Sequence, residues 1–372
     1  MILKNSNIFY DNKFQKADIL INGNIISGID FNCSFNSDKD CIDCSDKYVF
    51  SGLVDIHTHG CVGSDFSNAT ENEIHNMRKY YLKNGITSIL ATTVSLSDDD
   101  IISAVKKIKS ASKNEDDEAN ILGINLEGPY LSPKKCGAHD IALLKEPDID
   151  FIKSLGDCIK IVNIAPEYKN AFNFIRNFKG KVSIAHTDCD YETAKDAINA
   201  GADHITHIFN AMNPLHHRDS GVIGAFFDTD ATAEIICDAI HIHESVLRMM
   251  FIAKAEKLAI ISDSMAATGL KDGKYKLGNL DVKVEKSIAT LANGTLAGSV
   301  MNVYDMMKKL IEIGIKPEKA IASATSIPSD SVNMGDKIGR LEINRNADIV
   351  IANKDFSIYK VLHNGIFVDK TQ

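Results

Sequence analysis

An α/β fold, a (β/α)8 TIM-like barrel carrying a small β-sandwich, is the architecture this sequence predicts. Three observations carry it. Short apolar strands alternate with amphipathic segments across residues 49–338, the pattern of a parallel sheet covered on both faces. Eight such strands suit a closed barrel better than an open sheet, and no Gly-x-Gly-x-x-Gly phosphate loop follows the first of them. Both ends of the chain instead alternate apolar and polar residues with the period of a half-buried β-strand.

The elements follow in order. Ile2-Leu3, Ile8 to Tyr10, Ala17 to Ile21 and Ile25 to Ile29 read as short strands broken by Asn-Gly and Asp-Asn turns. Val49 to Val54 reads as one buried strand leading into Asp55-Ile56-His57-Thr58-His59-Gly60. Further strands are expected at 86–93, 120–126, 159–164, 181–186, 203–208, 232–237 and 258–263, with helical segments such as 71–84, 98–113, 190–200 and 243–256 between most of them. A Gly- and Lys-rich stretch at 269–297 either packs with the small sheet or forms a loop over the site. Gly339 to Leu341, Ala347 to Ala352 and Ile358 to His363 read as strands again. Two β ends that cannot stand alone are expected to pair into one small sheet or sandwich. The expected division is a small β domain from 1–48 and 339–372, with 271–297 as a candidate third piece, and a catalytic barrel over 49–338.

Composition narrows the function. A length of 372 residues suits a large barrel with an appendage, and 44% apolar with 24% charged residues allows a full core. The net charge of −9 leaves no basic stripe to neutralise phosphates, so nucleic acid is not expected as a partner. No apolar run is long enough for a bilayer, so no membrane is expected either. Met1 to Ser6 leads into a polar strand rather than an apolar leader. Eight scattered cysteines, with one Cys-x-x-Cys at Cys41 and Cys44 and no second pair, fit a reducing cytoplasm.

Residues two apart on a strand share a face. His57 and His59 therefore project side by side with Asp55, while Ile56 and Thr58 point away. Working groups in such barrels sit at the C-terminal ends of strands. Read in order, those ends give His57 and His59, Glu127, His186, His207 and Asp263. Any one alone reads as a satisfied core histidine or a solvated carboxylate. Together at one mouth they read as a divalent metal site. Imidazole and carboxylate suit Zn, Fe, Mn, Co or Ni. Such an ion lowers the pKa of bound water, and a carboxylate it does not saturate can take the proton and pass it on. Asp263 is the candidate for that task; a plain ligand is its alternative role. Pro214 to Arg218 is a short basic loop suited to a compact anion. His75, His204, His216, His217, His243 and His363 read as bystanders, and Lys134-Lys135 as a solvated pair, with attraction of an anionic substrate as its alternative role.

Several runs carry a resemblance: Asp55 to Gly60, Leu126-Glu127-Gly128-Pro129 on to Lys135, Gly137-Ala138-His139, and Ala185-His186-Thr187. They continue with Thr206-His207-Ile208-Phe209-Asn210-Ala211-Met212, Ile261 to Met265, and Leu296-Ala297-Gly298-Ser299. Through them the sequence resembles the amidohydrolase superfamily and, within it, the N-acetylglucosamine-6-phosphate deacetylase family, over nearly the whole chain. Glu-Gly-Pro and His-x-Phe-Asn-Ala-Met are specific to that branch. The resemblance implies that Glu127, His186 and His207 hold the principal divalent metal and that His57 and His59 hold a second. Some members lack the His pair and work with one ion, so it implies one or two, zinc first. It makes Asp263 the acid/base and lets His139 polarise the acetyl carbonyl or hold the sugar. Asn210 and Ala211 would offer a side-chain amide and a backbone N–H to the phosphate, and His241 would contact the sugar or phosphate. Arg218 would add charge to the phosphate, reaching the neighbouring site of a homodimer. Ala138, Leu296, Ala297 and Gly298 complete the implied substrate set. The implied reaction converts N-acetylglucosamine 6-phosphate to glucosamine 6-phosphate and acetate. The galacto epimer stays open as a substrate.

Two rivals differ in sequence features. A cyclic amide hydrolase such as a dihydroorotase commonly bridges two metals with a carboxylated lysine on strand four; here the only lysine of that strand, Lys160, sits at its beginning. A protein that only senses an amino-sugar phosphate would show a broken ligand set, and this set is intact.

Overall fold

A computed structural model describes residues 1–35, 40–113 and 115–368. Of the terminal segments, 36–39 and 369–372 lie outside the described residues. Eight parallel strands run in sequence order: β1 (Leu53–Thr58), β2 (Ile86–Thr93), β3 (Asn120–Leu126), β4 (Ile159–Ile164), β5 (Lys181–Ile184), β6 (His204–Ile205), β7 (Thr232–Ile236) and β8 (Leu258–Ile261). The last meets the first. The backbone N–H of Asp263 donates to the His57 carbonyl at 2.9 Å, and Asp55 Oδ1 accepts from the N–H groups of His57 and Ser262, each at 3.2 Å. Apolar, β-branched residues make these strands, and every residue of β2 is buried.

The helices cover the barrel with their apolar stripes. Thr70 and Glu73 form a capping box for Glu71–Lys83, which buries Ile74, Met77 and Tyr81. Ser97 caps Asp98–Ser110 and Asp190 caps Tyr191–Ala200. Each such cap contributes about 1 kcal/mol.

Strands from the two ends build one separate eight-stranded sheet. Ile2–Tyr10, Lys13–Asn22, Ile25–Asp30, Cys41–Asp43 and Tyr48–Ser51 join Ile349–Ala352, Ile358–His363 and Ile366–Phe367 there. Leu3, Ile8, Ile19, Ile26, Val49, Ile349 and Leu362 pack a core of their own within it.

Three sequence expectations need correction. The run from Val49 to Val54 is not one strand. Tyr48–Ser51 pairs antiparallel with Ile349–Ala352 in the terminal sheet, and Leu53–Thr58 belongs to the barrel. Gly52 is the crossing point: a Cβ there would lie 2.2 Å from Thr87 Oγ1, so only glycine lets the chain pass this close to β2. Gly339 to Leu341 forms no strand, because Gly339 takes a φ of 83° and Arg340 turns out to pair with Asp330. Strands β5, β6 and β8 end earlier than expected, since His186, His207 and Asp263 adopt φ of 42°, 24° and 47°. Non-glycine residues pay about 1–3 kcal/mol for such backbone, and it clusters at working sites.

The stretch after β8 forms a small antiparallel sheet of Gly273–Leu277, Leu280–Glu285 and Ile288–Thr290, hydrogen-bonded within itself. It lies at the barrel mouth, where Leu277 and Leu296 face the cavity described below.

Candidate metal centre

Six side chains from five strand ends converge at the C-terminal mouth. Glu127 stands at the centre and splits its two oxygens. Oε1 lies 3.1 Å from His186 Nε2 and 2.8 Å from His207 Nε2, and those two nitrogens are 3.2 Å apart. A tetrahedral ion with metal–nitrogen bonds of about 2.0–2.1 Å sets its donors about 3.3 Å apart, so this triangle has the size of one face of such a site. Oε2 lies 3.0 Å from His59 Nε2 and 3.6 Å from His57 Nε2. Asp263 Oδ1 closes that second group, 3.2 Å from His59 Nε2 and 3.5 Å from His57 Nε2. The donor atoms of each group lie within 4.8 Å of one another, and all are buried. A divalent cation fits both groups.

Neighbours outside the groups set which ring nitrogens carry hydrogen. His186 Nδ1 lies 2.8 Å from the Lys135 carbonyl, which can only accept, so Nδ1 holds the hydrogen and Nε2 offers its lone pair. His57 Nδ1 faces the Glu234 carboxylate at 2.9 Å, so there too Nδ1 holds a hydrogen. His139 is arranged the other way. Its Nδ1 accepts the backbone N–H of Ser95 at 3.1 Å, so Nε2 carries the hydrogen as a donor, 3.3 Å from Glu127 Oε2. His57 Nε2 is buried and makes no hydrogen bond among the described residues. A buried ring nitrogen aimed at two carboxylates without a hydrogen bond of its own is the signature of a cation site.

Electrostatics agree. Burial pushes His186 down to about 4, leaving it neutral and able to ligate. For His59 burial works the same way, but Asp263 and Glu127 beside it outweigh burial and hold it at about 9. Burial would likewise raise the Glu127 carboxyl; the adjacent His57 and His139 rings hold it well below the ordinary range. The cluster attracts positive charge, which a divalent ion supplies directly.

A cavity of about 290 Å³ opens onto these groups. His59, Glu127, His186, His207 and Asp263 form its floor, and Ala138, His139, Asn210, Ala211 and His241 its walls. Leu296 and Gly298, with Leu277 and Thr295, close it from the small sheet's side. His57 lies beneath the floor, fully buried. Ala297 is buried behind the lining, its N–H donating to Ala289 O at 3.1 Å. Arg218 stays outside this cavity, exposed on its loop with Nη1 2.6 Å from His217 Nε2. His241 Nδ1 bonds Asp238 Oδ2 at 2.7 Å, leaving Nε2 available. Burial disfavours charge on His241, but Asp238 raises its pKa overall, which suits an anionic ligand.

Sequence reasoning missed Ser95, Asp238 and Glu234, which orient His139, His241 and His57. Glu234 did leave a signal, as a single carboxylate inside the apolar run Ala233-Glu234-Ile235-Ile236.

Comparison with known proteins adds a family and relatives. The Amidohydrolase family model matches residues 48–368. The chain is 36% identical over 334 residues to the N-acetylglucosamine-6-phosphate deacetylase of Bacillus subtilis (strain 168), covering 86% of this chain and 84% of that one. The crystal structure of N-acetylglucosamine-6-phosphate deacetylase from Pasteurella multocida superposes with a TM-score of 0.93 at 27% identity, with 98% of each chain covered. A mutant of the Mycobacterium smegmatis N-acetyl-D-glucosamine-6-phosphate deacetylase, in complex with N-acetyl-D-glucosamine-6-phosphate, superposes with a TM-score of 0.90 at 27% identity over 99% of each chain.

Proposed function

This chain belongs to the amidohydrolase family, and we propose that it removes the N-acetyl group from N-acetylglucosamine 6-phosphate as a metal-dependent deacetylase. One observation carries the reading: a cavity floored by two carboxylate-linked donor groups, with Asp263 and the donor face of His139 turned toward the same space. Glu127, His186 and His207 would hold the principal divalent ion, zinc first among those these donors suit, and His57 and His59 a second, with Asp263 beside them. When bound, such an ion supplies Lewis acidity and makes water reactive near neutral pH.

The residues do the rest. Burial disfavours charge on Asp263, but His59 and His57 beside it hold its carboxyl below the usual range, so it is ionised and takes a proton from the attacking water. The water oxygen bonds to the acyl carbon while the Nε2–H of His139 donates to the acyl oxygen. One such donor is worth about 3 kcal/mol as charge develops there. The C–N bond then breaks and Asp263 returns its proton to the nitrogen; the second proton of the water passes from the new carboxyl group to the released amine, so the products are acetate and the ammonium form of the sugar. Asn210, Ala211 and His241 receive the phosphorylated sugar, while Ala138, Leu296 and Gly298 shape the space around it. Arg218 serves the phosphate of the neighbouring site in a homodimer. Eight cysteines suit a cytoplasmic setting, and no helix among the described residues is long and apolar enough to cross a membrane.

Acetate release from the two epimeric 6-phosphates, with the unphosphorylated sugars as controls, tests this on protein of measured metal content. Release from N-acetylglucosamine 6-phosphate, far faster than from the free sugar, is expected. Binding of both 6-phosphates without release, or turnover of a cyclic amide instead, would overturn it. Faster release from the galacto epimer would reassign the substrate within the same chemistry.

A further inference from the structure

We infer that Glu234 is a positioning residue that governs occupancy of the second ion, by locking the His57 ring with its Nε2 facing Glu127 and Asp263. The inference rests on the two-ion reading above and names what that reading needs from beneath the floor.

Glu234 stands on β7 with no solvent exposure. A buried carboxylate is costly without a strong partner. Among the described residues no lysine or arginine pairs with it. Its contacts are His57 Nδ1 at 2.9 Å, the backbone N–H of His207 at 3.4 Å and, more distantly, His204 Nδ1 at 3.8 Å. His204 cannot compensate the charge, because burial keeps that ring toward its neutral form and its Nδ1 already meets Ser183 Oγ at 3.0 Å. His57 is therefore the group this carboxylate serves.

The consequence is directional. A carboxylate accepts and does not donate, so His57 Nδ1 carries a hydrogen and Nε2 is the nitrogen turned toward the site to serve as a ligand. That nitrogen stands 3.5 and 3.6 Å from carboxylate oxygens of Asp263 and Glu127, beyond the 2.7–3.2 Å of an N–H···O bond. Donor atoms at this separation leave room for a cation between them. The same Glu234 oxygen meets the backbone N–H of His207 only at 3.4 Å, so the ring it holds closely is that of His57, in the second group.

The test is zinc titration of metal-stripped wild type, Glu234→Ala and Glu234→Gln, with bound metal counted by elemental analysis and unfolding followed in parallel. Wild type is expected to take two ions per chain. Glu234→Ala should weaken the second by about 10–100-fold and leave the first nearly unchanged, the usual scale for losing a carboxylate behind a ligating histidine. Glu234→Gln keeps the acceptor without the charge and should recover part of the loss. A purely structural role would lower the unfolding temperature of both variants and leave the ratio of the two affinities alone, which overturns the inference. A wild type that takes one ion overturns the two-ion reading and this inference with it. Two ions in wild type and unchanged affinities in Glu234→Ala overturn this inference alone. If the variants do not fold, nitrogen NMR of zinc-loaded wild type, assigned against a His57→Gln sample, decides: hydrogen on His57 Nδ1 alone supports the inference, and hydrogen on Nε2 refutes it.

Discussion

The two halves of the centre share Glu127 and differ in how their other donors are held. In the first half His186 and His207 come from different strands, each on left-handed backbone just past its strand end, and His186 is oriented by a main-chain carbonyl. Its edges are short and even, from 2.8 to 3.2 Å. In the second half both histidines come from one strand, the spread is 3.0 to 3.6 Å, and a side chain, Glu234, does the orienting. Main-chain orientation survives mutation and side-chain orientation does not. The first half is thus built as the fixed member of the pair and the second as the adjustable one.

The largest test of that contrast removes what the halves share. Glu127→Gln should lose both ions and bring acetate release to background; retention of two ions by elemental analysis would break the picture of a shared carboxylate. Next, Asp263→Asn should keep metal bound and slow turnover by about 10²–10⁴-fold, the span of a lost general acid–base. Normal turnover in that variant would remove Asp263 from the chemistry. His139→Gln should follow at about 10²–10³-fold in kcat, as for one lost oxyanion donor, with the metal count unchanged. His57→Gln sharpens the comparison itself: one ion should remain, at near wild-type affinity, with activity lowered by about 10–100-fold. Smallest on activity is Gly52→Ala. A Cβ 2.2 Å from Thr87 Oγ1 forces the chain to shift where it crosses from sheet to barrel. It should cost about 1–3 kcal/mol of stability in denaturant unfolding and leave the ion count alone.

How far the fold was legible follows the same logic. Ile86–Thr93, Asn120–Leu126 and Ile159–Ile164 lie where the apolar runs placed them, because each strand is buried on both faces and bounded by polar or turn residues. The ends of β5, β6 and β8 were not legible. Ala185-His186 and Thr206-His207-Ile208 continue the strand pattern in composition, and the turn into positive φ is imposed by the site rather than by local preference. Gly52 could not be read as a crossing point either, since its reason is a tertiary contact with Thr87.

The site was legible where chemistry and motif coincide and opaque where support comes from one layer below. The convergence of His57, His59, Glu127, His186, His207 and Asp263 follows from a residue type placed after each strand. Ser95 acts through its backbone N–H, which no side-chain pattern announces. Ala297 sits within a motif yet is buried behind its neighbours, and Arg218 lies on an exposed loop outside the cavity.

The central claim is tested most directly by titrating zinc into chelator-stripped protein while acetate release from N-acetylglucosamine 6-phosphate is followed. No release is expected at the start, with recovery at the first equivalent and a further rise with the second. Full acetate release from the stripped protein, or none at any zinc concentration, would contradict it.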